Sequence, residues 1–228
     1  MSRLPQVVTV DGPSGVGKGM VTRALKSRLI GWHLLDSGAL YRVLALAAQQ
    51  ASVDLADALA VAAIAPALKI EFLENKNQQE TIYLNGLDVT SQVRAESTGG
   101  LASRIASLPE VRKALFDRQL AFRITPGLIA DGRDMGTVVF PDAILKIFLE
   151  ASAEERAKRR YAQLREMGQN AILNDVRAEI IQRDERDRAR AIAPLIPAED
   201  AVMIDTTSLS PAEVLAKVDE LLKSRGLI

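Results

Sequence analysis

The feature that most constrains the fold of this chain is a glycine-rich loop close to its N-terminus. The residues of the loop are, in order, Gly12, Pro13, Ser14, Gly15, Val16, Gly17 and Lys18. It follows a β-branched apolar run at residues 7–10 and precedes apolar residues at helical spacing. In such a loop the backbone N–H groups point into one concavity, the helix N-terminus adds positive charge, and the lysine reaches the outer phosphates. The pattern predicts a strand, a phosphate-binding loop and a helix, with a plain glycine-rich turn as the alternative.

The two residues after Lys18 depart from the general form of this loop. A Ser or Thr usually follows the lysine and binds magnesium through its hydroxyl group. Gly19 and Met20 stand there instead, so neither position offers a hydroxyl ligand. Asp131, at the end of a predicted core strand, is then the better candidate for holding Mg²⁺, directly or through water. A turn cap is the competing interpretation of this aspartate.

Apolar runs alternate with helical patterns over most of the chain. Strands are predicted at residues 7–10, 33–35, 128–130, 145–149 and 202–204. This alternation predicts an α/β fold with five parallel strands in a three-layer arrangement. Residues 54–68 are predicted to be helical up to Pro66, and Ser210 with Pro211 is predicted to open a C-terminal helix.

One segment breaks the parallel α/β pattern. Residues 69–74 and 81–84 alternate apolar and polar side chains, which predicts strands of an antiparallel sheet. Turn residues follow each of these runs, namely Asn75, Lys76 and Asn77 after the first and Asn85 and Gly86 after the second. We therefore expect a meander of three short strands, inserted at roughly residues 66–94 into a core formed by residues 1–65 and 95–228.

The composition excludes several classes of function. Lys and Arg number 29, and so do Asp and Glu, so the zero net charge argues against a nucleic-acid partner. With no cysteine and one histidine, His33, the chain has neither a disulfide framework nor a Cys/His zinc site. The apolar run before the glycine-rich loop is too short for a signal peptide or a membrane span. These features predict a cytoplasmic protein with no membrane partner.

Four motifs, in this order along the chain, resemble those of the bacterial cytidylate kinases. They are GPSGVGKG at residues 12–19, LLDSG at 34–38 with Tyr41 and Arg42, ADGRDMGTVVFP at 130–141, and QRD at 182–184 through Arg190. The resemblance covers nearly the whole chain, including the inserted meander. It implies a P-loop kinase fold with a helical lid at about residues 152–170, and a cytoplasmic monomer. The implied activity is Mg²⁺-dependent transfer of the γ-phosphoryl of ATP to CMP or dCMP, in pyrimidine nucleotide metabolism.

Two arginines are candidates for the acceptor's α-phosphate. Arg42 lies one turn into a helix that starts after one predicted core strand, and Arg133 follows the carboxyl end of another. Ligands of open parallel sheets bind outside those strand ends, where planar arginine side chains can bind phosphate in a bidentate way. The resemblance gives both arginines this role. An ordinary surface position is the alternative for Arg42.

By spacing alone, Arg183, Asp187 and Arg190 fall on one helix face and would form a solvated ladder of ion pairs. The resemblance implies other roles: Arg183 and Asp187 contact the acceptor's ribose together with Ser103, and Arg190 lies near the base. It also implies that the base pocket includes Ser37, Arg112 and Asp134. Ser37 as a helix cap and Arg112 as a surface helix arginine are the alternatives.

Arginines are concentrated near the predicted lid: nine of the twenty lie between residues 156 and 190. In related kinases, arginines of a mobile lid close over the transferring phosphoryl group, where they stabilise charge. The resemblance places Arg156 with the ATP-binding loop, and Arg159 and Arg160 with Lys18, Arg133 and Asp131 among the catalytic groups. Which of the three lid arginines reaches the phosphate is left open.

Other functions remain to be weighed against this one. A small P-loop kinase acting on AMP, UMP or shikimate would share the loop and differ in the acceptor pocket. A GTPase-type switch would need an Asn-Lys-x-Asp motif, which the sequence lacks. A noncatalytic adaptor is favoured only by Met20.

Overall fold

The computed structural model describes residues 4–74, 80–166, 168 and 170–228. In chain order its strands and helices are β1 (Gln6–Asp11), α1 (Lys18–Arg28), β2 (His33–Asp36), α2 (Ser37–Gln50), α3 (Ala58–Ile64), β3 (Ile70–Glu74), β4 (Glu80–Leu84), β5 (Leu87–Asp88), α4 (Thr90–Arg94), α5 (Glu96–Ile105), α6 (Pro109–Leu120), β6 (Gly127–Gly132), β7 (Leu145–Glu150), α7 (Ala153–Glu166), α8 (Leu173–Arg188), β8 (Val202–Asp205) and α9 (Pro211–Ser224). A 3₁₀ turn at Ala65–Ala67 follows α3, and a short π-helix at Met135–Val139 follows β6.

The chain forms two compact units. The first contains the residues up to Asp36 together with Gln119–Ile228, and the second is Ser37–Arg118. The first unit holds a five-stranded sheet in the order β2-β6-β1-β7-β8, and every neighbouring pair is parallel. The predicted α/β fold with five parallel strands is confirmed.

The core of the first unit lies between this sheet and its helices. Strands β1, β6 and β7 are buried along most of their length, as expected for parallel strands covered on both faces. Apolar side chains of α1 and α9 and of the α1 C-cap, Leu29, pack into one cluster with them; the helix residues are Val21, Leu25, Val214, Val218 and Leu222. Helix α9 begins with the predicted Ser210 cap, whose side chain forms a reciprocal capping box with Glu213.

The carboxyl ends of the parallel strands bring three aspartates to one edge of the sheet. Asp36 is paired in register with Asp131 on the adjacent strand β6. Asp11, the last residue of β1, is paired with Gly132 on the other side of that strand. The glycine-rich loop leaves β1 at the same edge, so the candidate site of this unit is built there.

The second unit contains a three-stranded antiparallel sheet in the order β3-β4-β5, which confirms the predicted meander. The predicted turn at Asn75, Lys76 and Asn77 lies outside the described residues. The unit has its own apolar core, which includes Leu44, Ile82, Val93, Ile105 and Leu115. The boundaries of an insertion at residues 66–94 stay a prediction.

Two helices differ from the sequence-based expectation. The helix expected at residues 54–68 begins only at Ala58, because the Asp57 side chain accepts the Ala60 N–H and caps the helix there. Helix α8 ends at Arg188, so the prediction that Arg190 lies on the face of that helix was wrong. No helix among the described residues combines the length and apolar character needed to cross a membrane.

Candidate active site

The glycine-rich loop has the backbone geometry that its sequence predicts. Gly12 has φ of 145°, and a β-carbon there would collide with the Leu149 carbonyl oxygen on β7. Gly17, at the N-cap of α1, has φ of 96°, in the left-handed region that other residues rarely adopt. The loop therefore passes tightly over β7 and turns directly into the helix, which leaves the helix N-terminus open to an anion.

Lys18 is buried at this helix N-terminus. Its Nζ donates hydrogen bonds to the carbonyl oxygens of Gly12 at 3.0 Å and Pro13 at 2.9 Å. The pKa of Lys18 is lowered to about 7, chiefly by burial. The nearby charges of Arg133 and Arg183 contribute to this lowering, and the charge of Asp131 opposes it. A buried cation that is desolvated and repelled by neighbouring cations is stabilised when an anion binds beside it. The loop is therefore electrostatically suited to bind phosphate.

Asp131 lies in the opposite electrostatic situation. Its pKa is raised to about 7, chiefly by burial. The carboxylates of Asp36 and Asp11 contribute to this increase, and the charges of Lys18 and Arg133 oppose it. A divalent cation would relieve this crowding of acidic groups. The described residues include no cluster of three His, Cys, Asp or Glu side chains that could hold a metal by themselves. The Asp131 carboxylate is an oxygen ligand of the kind that Mg²⁺ accepts beside phosphate oxygens and water.

A substitution of Asp131 tests this metal role. We expect Asp131→Asn to raise the Mg²⁺ concentration needed for half-maximal rate by about tenfold or more. The wild-type kcat/KM for ATP should fall as the pH drops through about 7, because Asp131 becomes neutral by taking up a proton. In Asp131→Asn, kcat/KM for ATP should fall much less as the pH drops through this range. Asp142→Asn is the control, since its hydrogen bond with Arg123 lowers the pKa of Asp142 and keeps it charged. A variant with the wild-type Mg²⁺ dependence would contradict the assignment.

Three acceptor candidates form one buried ion-pair network. Arg133 Nε donates to Asp187 Oδ2 at 3.2 Å, and Arg190 Nη2 donates to the other oxygen, Asp187 Oδ1. Asp187 is only 1% exposed, and Arg190 reaches it from just beyond the end of α8. Arg183, on the same helix, donates from Nη1 to the Ser14 hydroxyl at 3.4 Å. The structure thus brings Arg133, Asp187 and Arg190 together and connects Arg183 with the phosphate-binding loop.

Arg156 of α7 is buried and connects α8 with the glycine-rich loop. Its guanidinium forms a two-pronged ion pair with Asp184 of α8, and its Nη1 also donates to the Ser14 carbonyl oxygen at 3.1 Å. Arg156 and Asp184 are 2% and 4% exposed. The side chain also passes Gly15, where a β-carbon would lie 3.3 Å from Arg156 Cβ. Arg156 therefore packs against the loop at Ser14 and Gly15, and its ion pair with Asp184 fixes its position.

The other two arginines of the predicted lid, Arg159 and Arg160, lie further along α7. Arg159 donates to the Thr206 hydroxyl at 3.1 Å and to the Thr206 carbonyl at 2.7 Å, and the same hydroxyl lies 3.3 Å from the Val16 carbonyl. Arg160 is half-buried and donates to Gln163 at 3.4 Å. A role of Arg159 and Arg160 in charge stabilisation on the transferring phosphoryl stays a prediction.

The remaining candidates lie in the second unit. Arg42 donates from Nη1 to the carbonyl oxygens of Val93 at 2.9 Å and Ala95 at 3.0 Å, which fixes its guanidinium beside α5. Arg112 lies with its Cζ 5.9 Å from the centroid of the Tyr41 ring. Two further candidates are buried hydroxyl residues: Ser37 is the first residue of α2, and Ser103 lies within α5. Their predicted contacts with an acceptor stay predictions.

Three residues with clear positions at this edge were missed from the sequence. Asp11 accepts hydrogen bonds from two backbone N–H groups of the π-helix, Asp184 pairs with Arg156, and Thr206 connects Arg159 with Val16. The one available signal was the position of Asp11 between a buried strand and the glycine-rich loop. Thr206 gave no signal, and the QRD motif that contains Asp184 did not indicate a pairing with Arg156, because the partners lie 28 or more residues away.

A phosphate-binding loop at the carboxyl edge of a five-stranded parallel sheet, with a buried lysine beneath it, defines a P-loop protein. The family model for cytidylate kinase matches residues 8–224. The cytidylate kinase of Proteus mirabilis (strain HI4320) is 54% identical over 217 residues, or 95% of this chain and 96% of that one. Those of Aeromonas salmonicida (strain A449) and Pseudomonas putida (strain W619) are 54% and 52% identical, over 96% and 100% of this chain and 94% and 100% of their own lengths. The chain belongs to the cytidylate kinase family.

Proposed function

We propose that this enzyme transfers the γ-phosphoryl group of ATP to CMP or dCMP, giving ADP and CDP or dCDP. The observation that carries the proposal is the environment of Lys18. This lysine is buried under the loop, and its pKa is lowered by burial and by the charges of Arg133 and Arg183. Membership of the cytidylate kinase family supports the choice of acceptor. We further propose a cytoplasmic monomer in pyrimidine nucleotide metabolism, without a nucleic-acid or membrane partner.

On the donor side, the chain binds and orients rather than forms covalent intermediates. The loop's N–H groups and the α1 N-terminus bind the β- and γ-phosphates, and Lys18 stabilises the charge that develops on the migrating group. Arg156 holds the Ser14 backbone in place, while Arg159 and Arg160 add positive charge when the lid closes. Mg²⁺ bound with ATP would neutralise phosphate charge, and Asp131 would hold it directly or through water.

On the acceptor side, Arg133 is the residue of the first unit that we propose binds the acceptor's α-phosphate. The carboxylate of Asp187 orients its guanidinium, and Arg190 shares that carboxylate. A fixed, planar donor of this kind suits the α-phosphate of a monophosphate, which in-line transfer requires to be held still. Arg42 is proposed for the same phosphate, and Arg183, Asp187 and Ser103 for the ribose. Ser37, Arg112, Asp134 and Arg190 are proposed for the base.

Base choice follows from the pairing edges of cytosine and uracil. Cytosine offers an amino donor at N4 and an acceptor at N3, and uracil reverses both. The carboxylate of Asp134, which is 3% exposed, would accept from the amino group, while Arg190 would donate to the ring. Uracil would place its O4 against that carboxylate and leave buried polar groups unpaired. We therefore expect CMP to exceed UMP in kcat/KM by about 10²-fold or more.

A substitution of Asp134 tests this pocket. Asp134→Ala should reduce the CMP-to-UMP ratio of kcat/KM by about tenfold or more, because it removes the acceptor for the amino group. The measurement is kcat/KM for both monophosphates with both proteins. Asp142→Ala is the matched control, since its carboxylate is exposed and pairs with Arg123. An unchanged ratio in the Asp134 variant would remove this residue from the base pocket.

A further inference from the structure

A π-helix directly follows the two candidate residues Arg133 and Asp134. The N–H of Val139 donates to the carbonyl of Asp134 at 3.2 Å, and that of Phe140 donates to Met135 at 2.7 Å. Both bonds span five residues, which is the spacing of a π-helix, a rare conformation found often at functional sites. The position of this short helix fixes the direction in which the backbone presents Arg133 and Asp134.

The side chain of Asp11 anchors the start of the π-helix. Its Oδ1 accepts the Met135 N–H at 2.9 Å and its Oδ2 accepts the Gly136 N–H at 2.8 Å. Both N–H groups belong to the first turn, where a helix has no partners of its own. Asp11 is also the residue that precedes Gly12, so one residue joins the phosphate-binding loop to the segment that carries Arg133 and Asp134.

The π-helix packs closely on the sheet beneath it. A β-carbon at Gly136 would lie 2.9 Å from Thr9 Oγ1 and 3.1 Å from Lys146 Cδ, which leaves no room for a side chain. Thr9 lies two residues before Asp11 on β1, is fully buried, and its hydroxyl forms no hydrogen bond among the described residues. The sheet thus fills the space beneath Gly136, whereas the hydrogen bonds that hold the first turn of the helix come from the Asp11 carboxylate.

We propose that Asp11 is a positioning residue for the acceptor: by holding Met135 and Gly136, it directs Arg133 and Asp134 toward the monophosphate. The proposal rests on the proposed function. The pKa of Asp11 is raised to about 7, chiefly by burial and in part by the charge of Asp134, in spite of the two N–H bonds that lower it. A carboxylate that is this unfavourable to bury is a poor stabiliser of the fold, which agrees with a role in geometry.

The test compares Asp11→Ala, Asp11→Asn and Thr9→Val with the wild type. Asp11→Ala should lower kcat/KM for CMP by about 10–10²-fold and should reduce the CMP-to-UMP ratio, while KM for ATP changes much less. Asp11→Asn keeps one acceptor oxygen and should recover part of both losses. Thr9→Val is the matched control: it has the same shape on the same strand, removes no hydrogen bond, and should keep the wild-type ratio. Gly136→Ala, which pushes the π-helix away from Thr9, should reduce the ratio in the same direction as Asp11→Ala.

Thermal unfolding of each variant separates positioning from stability. A folded Asp11→Ala protein with the wild-type CMP-to-UMP ratio overturns the proposal, and so does an equal loss in Thr9→Val. If Asp11→Ala does not fold, the same comparison is made with Asp11→Asn and Gly136→Ala, and unchanged ratios in both overturn it. The proposed function is tested separately: it is overturned if the wild-type protein does not phosphorylate CMP. The results with the variants alone cannot overturn it.

Discussion

Lys18→Ala is expected to lower kcat by about 10²-fold or more. The ammonium group lies beneath the loop, where we expect charge to develop on the transferring phosphoryl, and ATP phosphates are expected to replace its hydrogen bonds to Gly12 and Pro13. Because this interaction strengthens in the transition state, we expect a larger change in kcat than in KM for ATP.

The folded state should tolerate this change. Burial lowers the pKa of Lys18, so the folded protein binds this proton less tightly than the unfolded chain, and the charged lysine opposes folding at neutral pH. Removing it should therefore not reduce the free energy of unfolding through loss of charge. Lys217→Ala, an exposed lysine on α9, is the control and should keep the wild-type kcat. An unchanged kcat in folded Lys18→Ala would contradict the phosphotransferase assignment.

Asp184→Ala is expected to reduce the free energy of unfolding by about 3–5 kcal/mol. The substitution would leave the Arg156 guanidinium, 2% exposed, without its carboxylate partner. Asp219→Ala breaks the ion pair with Arg28, in which both side chains are more than a quarter exposed, and should cost only about 0–1 kcal/mol. Denaturant unfolding of both variants measures the difference. Equal losses in the two variants would contradict a buried, tightly coupled Arg156–Asp184 pair.

A double substitution separates the stability role of this pair from its role at the loop. Arg156→Met combined with Asp184→Leu removes both charges and should recover much of the stability that Asp184→Ala loses. It cannot replace the hydrogen bond from Arg156 to the Ser14 carbonyl. We therefore expect the double variant to be stable and to have a raised KM for ATP. A double variant with the wild-type KM would show that Arg156 does not support the loop.

The strands could be predicted because their signal is local. Parallel strands covered on both faces are short apolar runs, and each ends in polar or glycine residues, as β1 and β6 do at Asp11 and Gly132. The meander could also be predicted from local signals, because apolar and polar side chains alternate along its strands and Asn85-Gly86 indicates a turn. The start of α3 was placed too early, because composition favoured helix from residue 54 and the Asp57 cap decides the true beginning.

The site was predictable only in part, because its contacts join distant segments. The glycine-rich loop and Lys18 are contiguous and carry their own signature. In contrast, the charges of α8 gave no indication that Asp184 would pair with Arg156 while Asp187 would pair with Arg133. Spacing also placed Arg190 on the helix, whereas it reaches Asp187 from beyond the helix end.

Initial rates of ADP formation from ATP and Mg²⁺, measured with CMP, dCMP, UMP and AMP in turn, test the central claim most directly. Detection of the nucleoside diphosphate product in amounts equal to ADP excludes simple ATP hydrolysis. The account predicts that CMP or dCMP gives the highest kcat/KM, about 10²-fold or more above UMP. A higher kcat/KM with UMP or AMP, or ADP formation that does not depend on a monophosphate, would contradict it.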